Sequence, residues 1–190
     1  MAELTAYQDA PYAAAYLADV ERVRTAEAAA VPGSTALAEA VAVNLHKLLA
    51  YKDEYEVARL SLGIEDEVRE RFGEGARFSW KLHPPVLRAL GMQRKITLGP
   101  WFSPAFRTLY AMRRVRGTRL DVFGYAHVRR VERALIAEYR QAIDEQLARL
   151  APGTLTRAVE VAGLPDRIRG YEQVKLDSVD TFRQRLSELR

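Results

Sequence analysis

Apolar residues recur at spacings of three and four along most of this chain, which is typical of one face of a helix. The first such row runs from Tyr12 to Val23, and Asp9 precedes it as the expected N-cap. A second row predicts a helix from about residue 35 to residue 60, capped by Ser34 or Thr35. The apolar stripe of this second helix consists of Leu37, Val41, Leu45, Leu48 and Leu49.

The centre of the chain has a different pattern, because polar and apolar residues alternate there with the period of a β-strand. The alternation covers residues 77–83 and returns at residues 95–98, after a break at Pro84 and Pro85. These two segments predict a small antiparallel ribbon with a long connection, spanning about residues 77–98. A short helix is expected before the ribbon, from residue 64 to residue 72.

Helical spacing returns after the ribbon and continues to the end of the chain. A helix beginning near Ser103 is closed by Gly117, and the clearest helix of the sequence covers about residues 126–150. A short helix after Thr154 and a final helix follow. The sequence therefore predicts a mainly α fold, a helical domain with a small antiparallel β ribbon in the centre. We expect a single domain over residues 1–190, since no linker rich in Gly, Ser or Pro divides the chain.

Composition removes several functional classes from consideration. The 190 residues include no cysteine, so the chain cannot supply a disulfide, a thiolate nucleophile or an iron–sulfur ligand. The three histidines, His46, His83 and His127, are too scattered to form a metal-ligand motif. No phosphate-binding glycine loop and no common hydrolase or metalloprotease motif occurs. We therefore assign no catalytic, cofactor-binding or metal-binding residue, and His83 in particular has no second titratable group at a recognisable spacing.

Charge and hydropathy indicate the cellular location and the class of partner less strongly than composition excludes functional classes. The chain has 29 basic and 25 acidic side chains and a net charge of +4, an excess too small to indicate nucleic-acid binding by itself. No apolar run reaches the roughly 18 residues that a membrane helix needs. The first residues lack the basic and apolar regions of a signal peptide, so we expect a cytoplasmic location.

The first charged constellation lies where the second predicted helix is expected to end. Lys52, Asp53, Glu56 and Arg59 occur together, with Lys52, Glu56 and Arg59 expected on the same side of the helix as its apolar stripe. Pairs at these spacings contribute only about 0.2–0.5 kcal/mol on an exposed helix. Two interpretations are open, a solvated helix end and a buried or interfacial ion network that determines how another element docks.

The second constellation is a stretch of arginines over residues 107–133. It contains Arg107, Arg113, Arg114, Arg116, Arg119, Arg129, Arg130 and Arg133. Guanidinium groups suit phosphate or carboxylate recognition, because their paired N–H donors match two oxygens at once. Arg113, Arg114, Arg116 and Arg119 are the candidate anion contacts, against the simpler interpretation of a solvated arginine-rich surface.

Several segments of the amino-acid sequence resemble those of a known family. Residues 42–60, AVNLHKLLAYKDEYEVARL, resemble a signature segment in the C-terminal region of bacterial indolepyruvate ferredoxin oxidoreductases. Further blocks of resemblance occur in order at residues 4–9, 82–85, 99–101, 120–125, 132–139, 164–165 and 168–170. The resemblance covers nearly the whole chain, and several ordered blocks are more specific than any single motif.

The resemblance implies a non-catalytic domain of a large enzyme. That family oxidatively decarboxylates aryl pyruvates to acyl-CoA and passes electrons to ferredoxin, using thiamine diphosphate, magnesium and iron–sulfur clusters held in other domains. No cofactor is expected in this chain, and no catalytic residue can be transferred to it. The expected partners are the other domains of the enzyme and a second copy in a homodimer. Both a fragment of that enzyme and a free-standing relative fit the resemblance.

An alternative function remains open beside the structural one. The arginine stretch 107–133 could bind an anion, and the phosphates of coenzyme A are the candidate that the family reaction suggests. Nucleic acid is a less favoured ligand for the same arginines.

Overall fold

The computed structural model describes residues 1–73, 75–82, 94, 96–170 and 172–189. These residues form eight α-helices and two β-strands. The helices are α1 (Ala2–Tyr7), α2 (Ala10–Ala30), α3 (Ala36–Leu49), α4 (Glu54–Phe72), α5 (Ser103–Ala111), α6 (His127–Leu147), α7 (Leu155–Gly163) and α8 (Glu172–Glu188). The strands are β1 (Trp80–Leu82) and β2 (Ile96–Leu98).

The predicted fold class is confirmed, because the chain is mainly helical and carries one small antiparallel sheet. Strands β1 and β2 pair with Trp80 opposite Leu98 and Leu82 opposite Ile96. Each strand has three residues, so the first is shorter than the alternating segment 77–83. The predicted connection between the strands falls within residues 83–93, and His83, Pro84 and Pro85 lie outside the described residues.

Contacts divide the chain into two compact units, and each has its own apolar core. The first unit consists of Met1–Tyr51 and Gly117–Arg190, and the second of Lys52–Arg116. Whether residues 1–190 behave as one domain stays a prediction, since that depends on whether the units unfold together.

The core of the first unit forms around α3, which packs against α2, α6 and α7. Leu37, Val41 and Leu45 on α3 are buried there, as the helical spacing predicts. Tyr139 on α6 is also buried, and its hydroxyl donates to the backbone carbonyl of Ala162 at 2.9 Å. Burial raises the pKa of Tyr139, because the ionised phenolate would lose its hydration.

The core of the second unit is smaller and aromatic. α4 packs against α5, with Ala58, Trp80 and Phe106 buried between these helices and the ribbon. The Trp80 and Phe106 rings meet edge to face, with centroids 4.9 Å apart. The indole N–H of Trp80 donates to the carbonyl of Ser61 at 3.2 Å, which satisfies its buried donor.

One continuous helix over residues 35–60 is a wrong prediction. α3 ends at Leu49, and α4 begins at Glu54 and runs to Phe72, which also absorbs the short helix expected over residues 64–72. The break has a local cause, because Asp53 is the N-cap of α4 and accepts the N–H of Glu56 at 2.9 Å. Lys52, Glu56 and Arg59 therefore do not continue the apolar stripe of α3.

Candidate functional site

The second unit contains a buried ion pair between Asp53 and Arg116, which are 63 residues apart in sequence. The guanidinium of Arg116 binds both carboxylate oxygens, with Nε 2.5 Å from Oδ2 and Nη2 2.9 Å from Oδ1. Both side chains are only 3% exposed. The Arg116 guanidinium also lies 5.4 Å from the centre of the Tyr55 ring, within the range of a cation–π contact. The structure thus joins one residue from each of the two constellations found in the sequence.

The other members of the first constellation lie on or beside the same helix. Arg59 donates to both oxygens of the buried Glu56 carboxylate, at 2.8 Å from Nε and 2.6 Å from Nη2. Lys52 is exposed and lies in the turn before α4. The structure therefore places Asp53 and Glu56 in two adjacent ion pairs that use different arginines.

The four candidate anion contacts are not in one environment. The guanidinium of Arg113 stacks over the Tyr110 ring at 4.0 Å, and its Nη1 donates to the Tyr110 carbonyl. Arg114 is exposed, whereas Arg116 is bound to Asp53. These three residues belong to the second unit, and the exposed Arg119 belongs to the first.

Another buried carboxylate, Glu132, lies in the first unit and was not found from the sequence. Its Oε2 accepts from Arg129 at 2.7 Å, and its Oε1 accepts from Lys175 on α8. Glu132 and Lys175 line a pocket of about 50 Å³ together with Lys47. Ligand sites for molecules of drug or cofactor size are about 300–1,000 Å³, so this pocket has room only for water or a small ion.

The amino group of Lys47 stabilises a short turn next to this pocket. It donates to the carbonyls of Pro165 and Asp166, at 3.0 and 2.8 Å. These carbonyls belong to the short 3₁₀ turn Leu164–Arg167. The charge of Lys47 also lowers the pKa of the exposed Asp166 through a hydrogen bond and Coulombic attraction. Lys47 therefore acts as a structural cation.

The buried carboxylate of Glu27 caps a helix other than its own. It accepts the backbone N–H groups of Leu37 and Ala38 at the start of α3, at 3.0 and 2.8 Å, and the Ser34 hydroxyl at 2.6 Å. Burial acts to raise the pKa of Glu27, but these three hydrogen bonds outweigh it and hold the pKa below its usual range. Thr35 is the N-cap residue but makes no capping hydrogen bond through its side chain.

The signal for Glu27 is present in the sequence, although it is weak. Glu27 follows Val23 by four residues, so a carboxylate extends the apolar row of α2 just before a short turn. A charged residue in a buried row needs a partner, and the free N–H groups at the start of the next helix supply it.

Across the described segments of the chain, these observations define a class of protein: a helical protein whose buried charges are hydrogen-bonded within the chain. Nowhere in the described residues do three or more His, Cys, Asp or Glu gather in a group that could hold a metal ion. In the same part of the chain, no helix is long and apolar enough to cross a membrane.

The chain belongs to a family of unknown function, DUF6537, whose model matches residues 1–188. No curated protein and no solved structure matches the chain.

Proposed function

We propose that this chain is a non-catalytic structural domain of an indolepyruvate ferredoxin oxidoreductase, and that it packs against the catalytic domains of the enzyme or stabilises its dimer. The ordered blocks of resemblance along the chain support the choice of enzyme. In this proposal the thiamine diphosphate, magnesium and iron–sulfur clusters belong to the other domains, and the oxidative decarboxylation of the 2-oxoacid takes place there.

The observation that carries the structural role is an exposed apolar row on α4. Leu60 and Ile64 are spaced i, i+4 on the helix, and Phe72 follows on the same row two steps later, beyond the half-buried Val68. Leu60, Ile64 and Phe72 are 37%, 54% and 70% exposed. A row at this spacing forms the ridge by which one helix packs into the groove of another. Exposing apolar surface to water costs about 25 cal/mol per Å², so such a ridge favours burial against a partner.

The buried ion pairs independently support a structural role. Asp53 and Arg116 bind each other through two hydrogen bonds, and Glu56 binds Arg59 in the same way. A catalytic acid or base has to reach a substrate proton, within about 3 Å or through one water molecule. Side chains that are buried and fully engaged with each other fit the stabilisation of a fold better than catalysis.

Isolation of the native protein tests the proposal. An antibody against this chain would be used to purify the protein that contains it from source cells, and the product would be analysed by intact-mass and peptide mass spectrometry. We expect a thiamine-diphosphate domain and cysteine-rich cluster domains, on the same polypeptide or in a 1:1 complex. A native product that contains this chain without those domains contradicts the proposal.

Anion binding is the second candidate, and exposed arginines favour it. Arg114, Arg119 and Arg130 have exposed side chains, whereas Arg116 is buried against Asp53. Isothermal titration of the purified chain with coenzyme A tests this function. Saturable heat that disappears in an Arg119→Gln, Arg130→Gln variant supports it, and a flat titration at about millimolar ligand, where binding would be worth about 4 kcal/mol, rejects it.

A further inference from the structure

A short loop in the first unit, residues 117–126, presents three large apolar side chains to solvent. Leu120, Val122 and Tyr125 are 72%, 64% and 64% exposed. The loop connects the end of the second unit to α6 and contains a single 3₁₀ turn, Phe123–Tyr125. Three exposed side chains of this size within six residues are unusual, because isolated exposed apolar residues are normal but clusters mark interaction sites.

The loop is held in one conformation from the inside by Asp121. The Asp121 carboxylate is buried and accepts two backbone N–H groups, from Gly117 at 2.8 Å and from Gly124 at 3.0 Å. Gly117 has a φ of +76°, which glycine adopts without strain. The start of the loop and its 3₁₀ turn are thus attached to the same side chain.

Arg133 on α6 closes the interior of the loop. Its Nη2 donates to the Gly124 carbonyl at 2.5 Å, and its Nη1 lies 3.8 Å from the Asp121 carboxylate. A Cβ atom on Gly124 would approach an Asp121 oxygen to 2.4 Å and the Arg133 guanidinium to 2.8 Å. The packing therefore requires glycine at position 124, as expected for a loop with a fixed interior.

The exposed side of the loop is also organised. The hydroxyl of Tyr125 donates to the carbonyl of Arg119 at 2.9 Å, which attaches the tyrosine side chain to the backbone six residues earlier. A side chain that is already ordered loses little entropy when a partner covers it, and tyrosine at the centre of an interface often contributes strongly to affinity.

The charges around the loop determine the kind of partner that fits it. Arg119 and Arg130 are exposed, whereas the acidic residues of this segment, Asp121 and Glu132, are buried and engaged with donors of this chain. The exposed surface of residues 117–133 is therefore apolar in part and positively charged at its border. A complementary surface has an apolar centre and carboxylates at its rim.

We propose that residues 117–126 form a preorganised docking loop for a protein surface with an apolar centre and an acidic rim. A nucleic acid fits less well, because Leu120 and Val122 have no π-face for base stacking and two exposed arginines give a small electrostatic contribution. The location of that acidic surface on another domain of the oxidoreductase rests on the proposed function, whereas the chemistry of the loop does not.

Hydroxyl-radical footprinting tests the docking loop without any substitution. Oxidation of Leu120, Val122 and Tyr125 is compared between the purified 190-residue chain and the native product isolated with the antibody. We expect these residues to react at least about fivefold more slowly in the native product, since the core of an interface excludes water. Equal reaction rates in the two samples overturn the inference.

A charge-introducing variant and a matched control complete the test. Leu120→Asp with Val122→Asp would bury two unpaired carboxylates against the apolar centre of the partner surface, so Tyr125 in the native product should react as fast as in the purified chain. Val43→Asp, at a position that is 68% exposed elsewhere in the first unit, should leave the protection of Tyr125 intact. A double variant that keeps the protection overturns the inference.

The outcomes separate this inference from the proposed function. Protection of the loop in a product without a thiamine-diphosphate domain supports the docking loop and contradicts the proposed function. A product that contains this domain but leaves the loop as reactive as in the purified chain supports the proposed function and contradicts the docking loop. If the protection disappears after nuclease treatment, or if it occurs in a dimer of this chain alone, the proposal of an acidic protein partner is overturned.

Discussion

At the scale of single residues, buried carboxylates organise the backbone of this protein. Asp53, Asp121 and Glu27 are each buried, and each accepts at least one backbone N–H at the start of a helix or within a turn. A buried carboxylate that is both charged and fully hydrogen-bonded repays its desolvation through short, charge-assisted bonds. We therefore expect these positions to tolerate substitution poorly, although none of them is assigned a chemical role.

Breaking the Asp53–Arg116 pair should destabilise the chain strongly. Arg116→Met leaves the Asp53 carboxylate buried without its cation, and removal of one partner of a buried pair costs about 3–5 kcal/mol. We expect a loss near the lower end of this range, because the Glu56 N–H still binds Asp53. Urea unfolding followed by circular dichroism measures the change.

Arg114→Met is the matched control for that measurement. It removes the same charge from an exposed side chain two residues before Arg116. The free energy of unfolding should therefore change by less than about 0.5 kcal/mol. If the two variants are equally stable, the pair does not hold the second unit together.

The stability contributed by Glu27 should depend on pH in a defined direction. Its pKa in the folded chain lies below the unfolded value of about 4.3, so the ionised carboxylate stabilises the fold above that pH. Glu27→Gln should cost about 1–2 kcal/mol at neutral pH, through loss of charge-assisted bonds to Leu37 and Ala38. The difference between the two proteins should shrink as the pH falls below the unfolded value of about 4.3 and disappear once the pH has passed through the lower pKa of Glu27 in the folded chain.

Denaturant unfolding at a series of pH values checks this dependence. Glu21→Gln on the same helix is the control, because Glu21 is exposed and binds only Arg24 in the described structure. A stability difference for Glu27→Gln that is constant from pH 3 to pH 7 (roughly the range that spans the carboxylate titration) would show that its charge is not what caps α3.

At the scale of elements, the limits of α3 depend on side chains from α1 and α2. The hydroxyl of Tyr7 donates to the Tyr51 carbonyl and that of Tyr12 to the Leu49 carbonyl, each at 3.0 Å. Carbonyls at and beyond the last turn of a helix have no partner within the helix. The tyrosines supply this partner, so the first two helices fix the place where α3 ends.

Tyr7→Phe and Tyr12→Phe should each reduce stability by about 1 kcal/mol, the usual net value of one hydrogen bond. Tyr16→Phe is the control and should reduce stability less than the other two variants. Tyr16 donates to the carbonyl of Ala42, which lies inside α3 and also accepts a hydrogen bond within the helix. Thermal and urea unfolding of the three variants measure the order. A larger loss for Tyr16→Phe than for Tyr7→Phe would contradict this account of the helix end.

The same helix shows what sequence reasoning can and cannot find. The apolar stripe of α3 was predictable, since Leu37, Val41 and Leu45 are buried on one face. The end of the helix was not, because residues 50–53 contain no glycine or proline and the carbonyl partners come from tyrosines about 40 residues earlier. Asp53 is a good N-cap residue, and within an apparently continuous helix its capping role is hidden.

The candidate site was predictable in its parts and not in its assembly. Asp53 and Arg116 were both selected from the sequence, but no spacing rule links residues 63 positions apart. The pairing depends on the tertiary packing of the second unit. Glu132 and Lys175 show the same limit, because they come from different helices and no local pattern relates them.

At the scale of the whole molecule, the part of the chain that the structure describes forms two apolar cores, and its exposed apolar side chains include the α4 row and the 117–126 loop. The first unit is built around α3, and the second around the Trp80 and Phe106 rings. The α4 row belongs to the second unit, and the 117–126 loop to the first. Both surfaces are explained if this chain works as part of a larger assembly, with the reaction performed by other domains.

The most direct test of this account is an activity measurement on the purified 190-residue chain. The chain would be incubated with indolepyruvate, coenzyme A, thiamine diphosphate, magnesium and a viologen as electron acceptor, after its helical content has been checked by circular dichroism. We predict no decarboxylation and no viologen reduction above a sample without protein, while the native product isolated with the antibody performs both. Turnover by the folded chain alone, in proportion to its concentration, would contradict a scaffolding role.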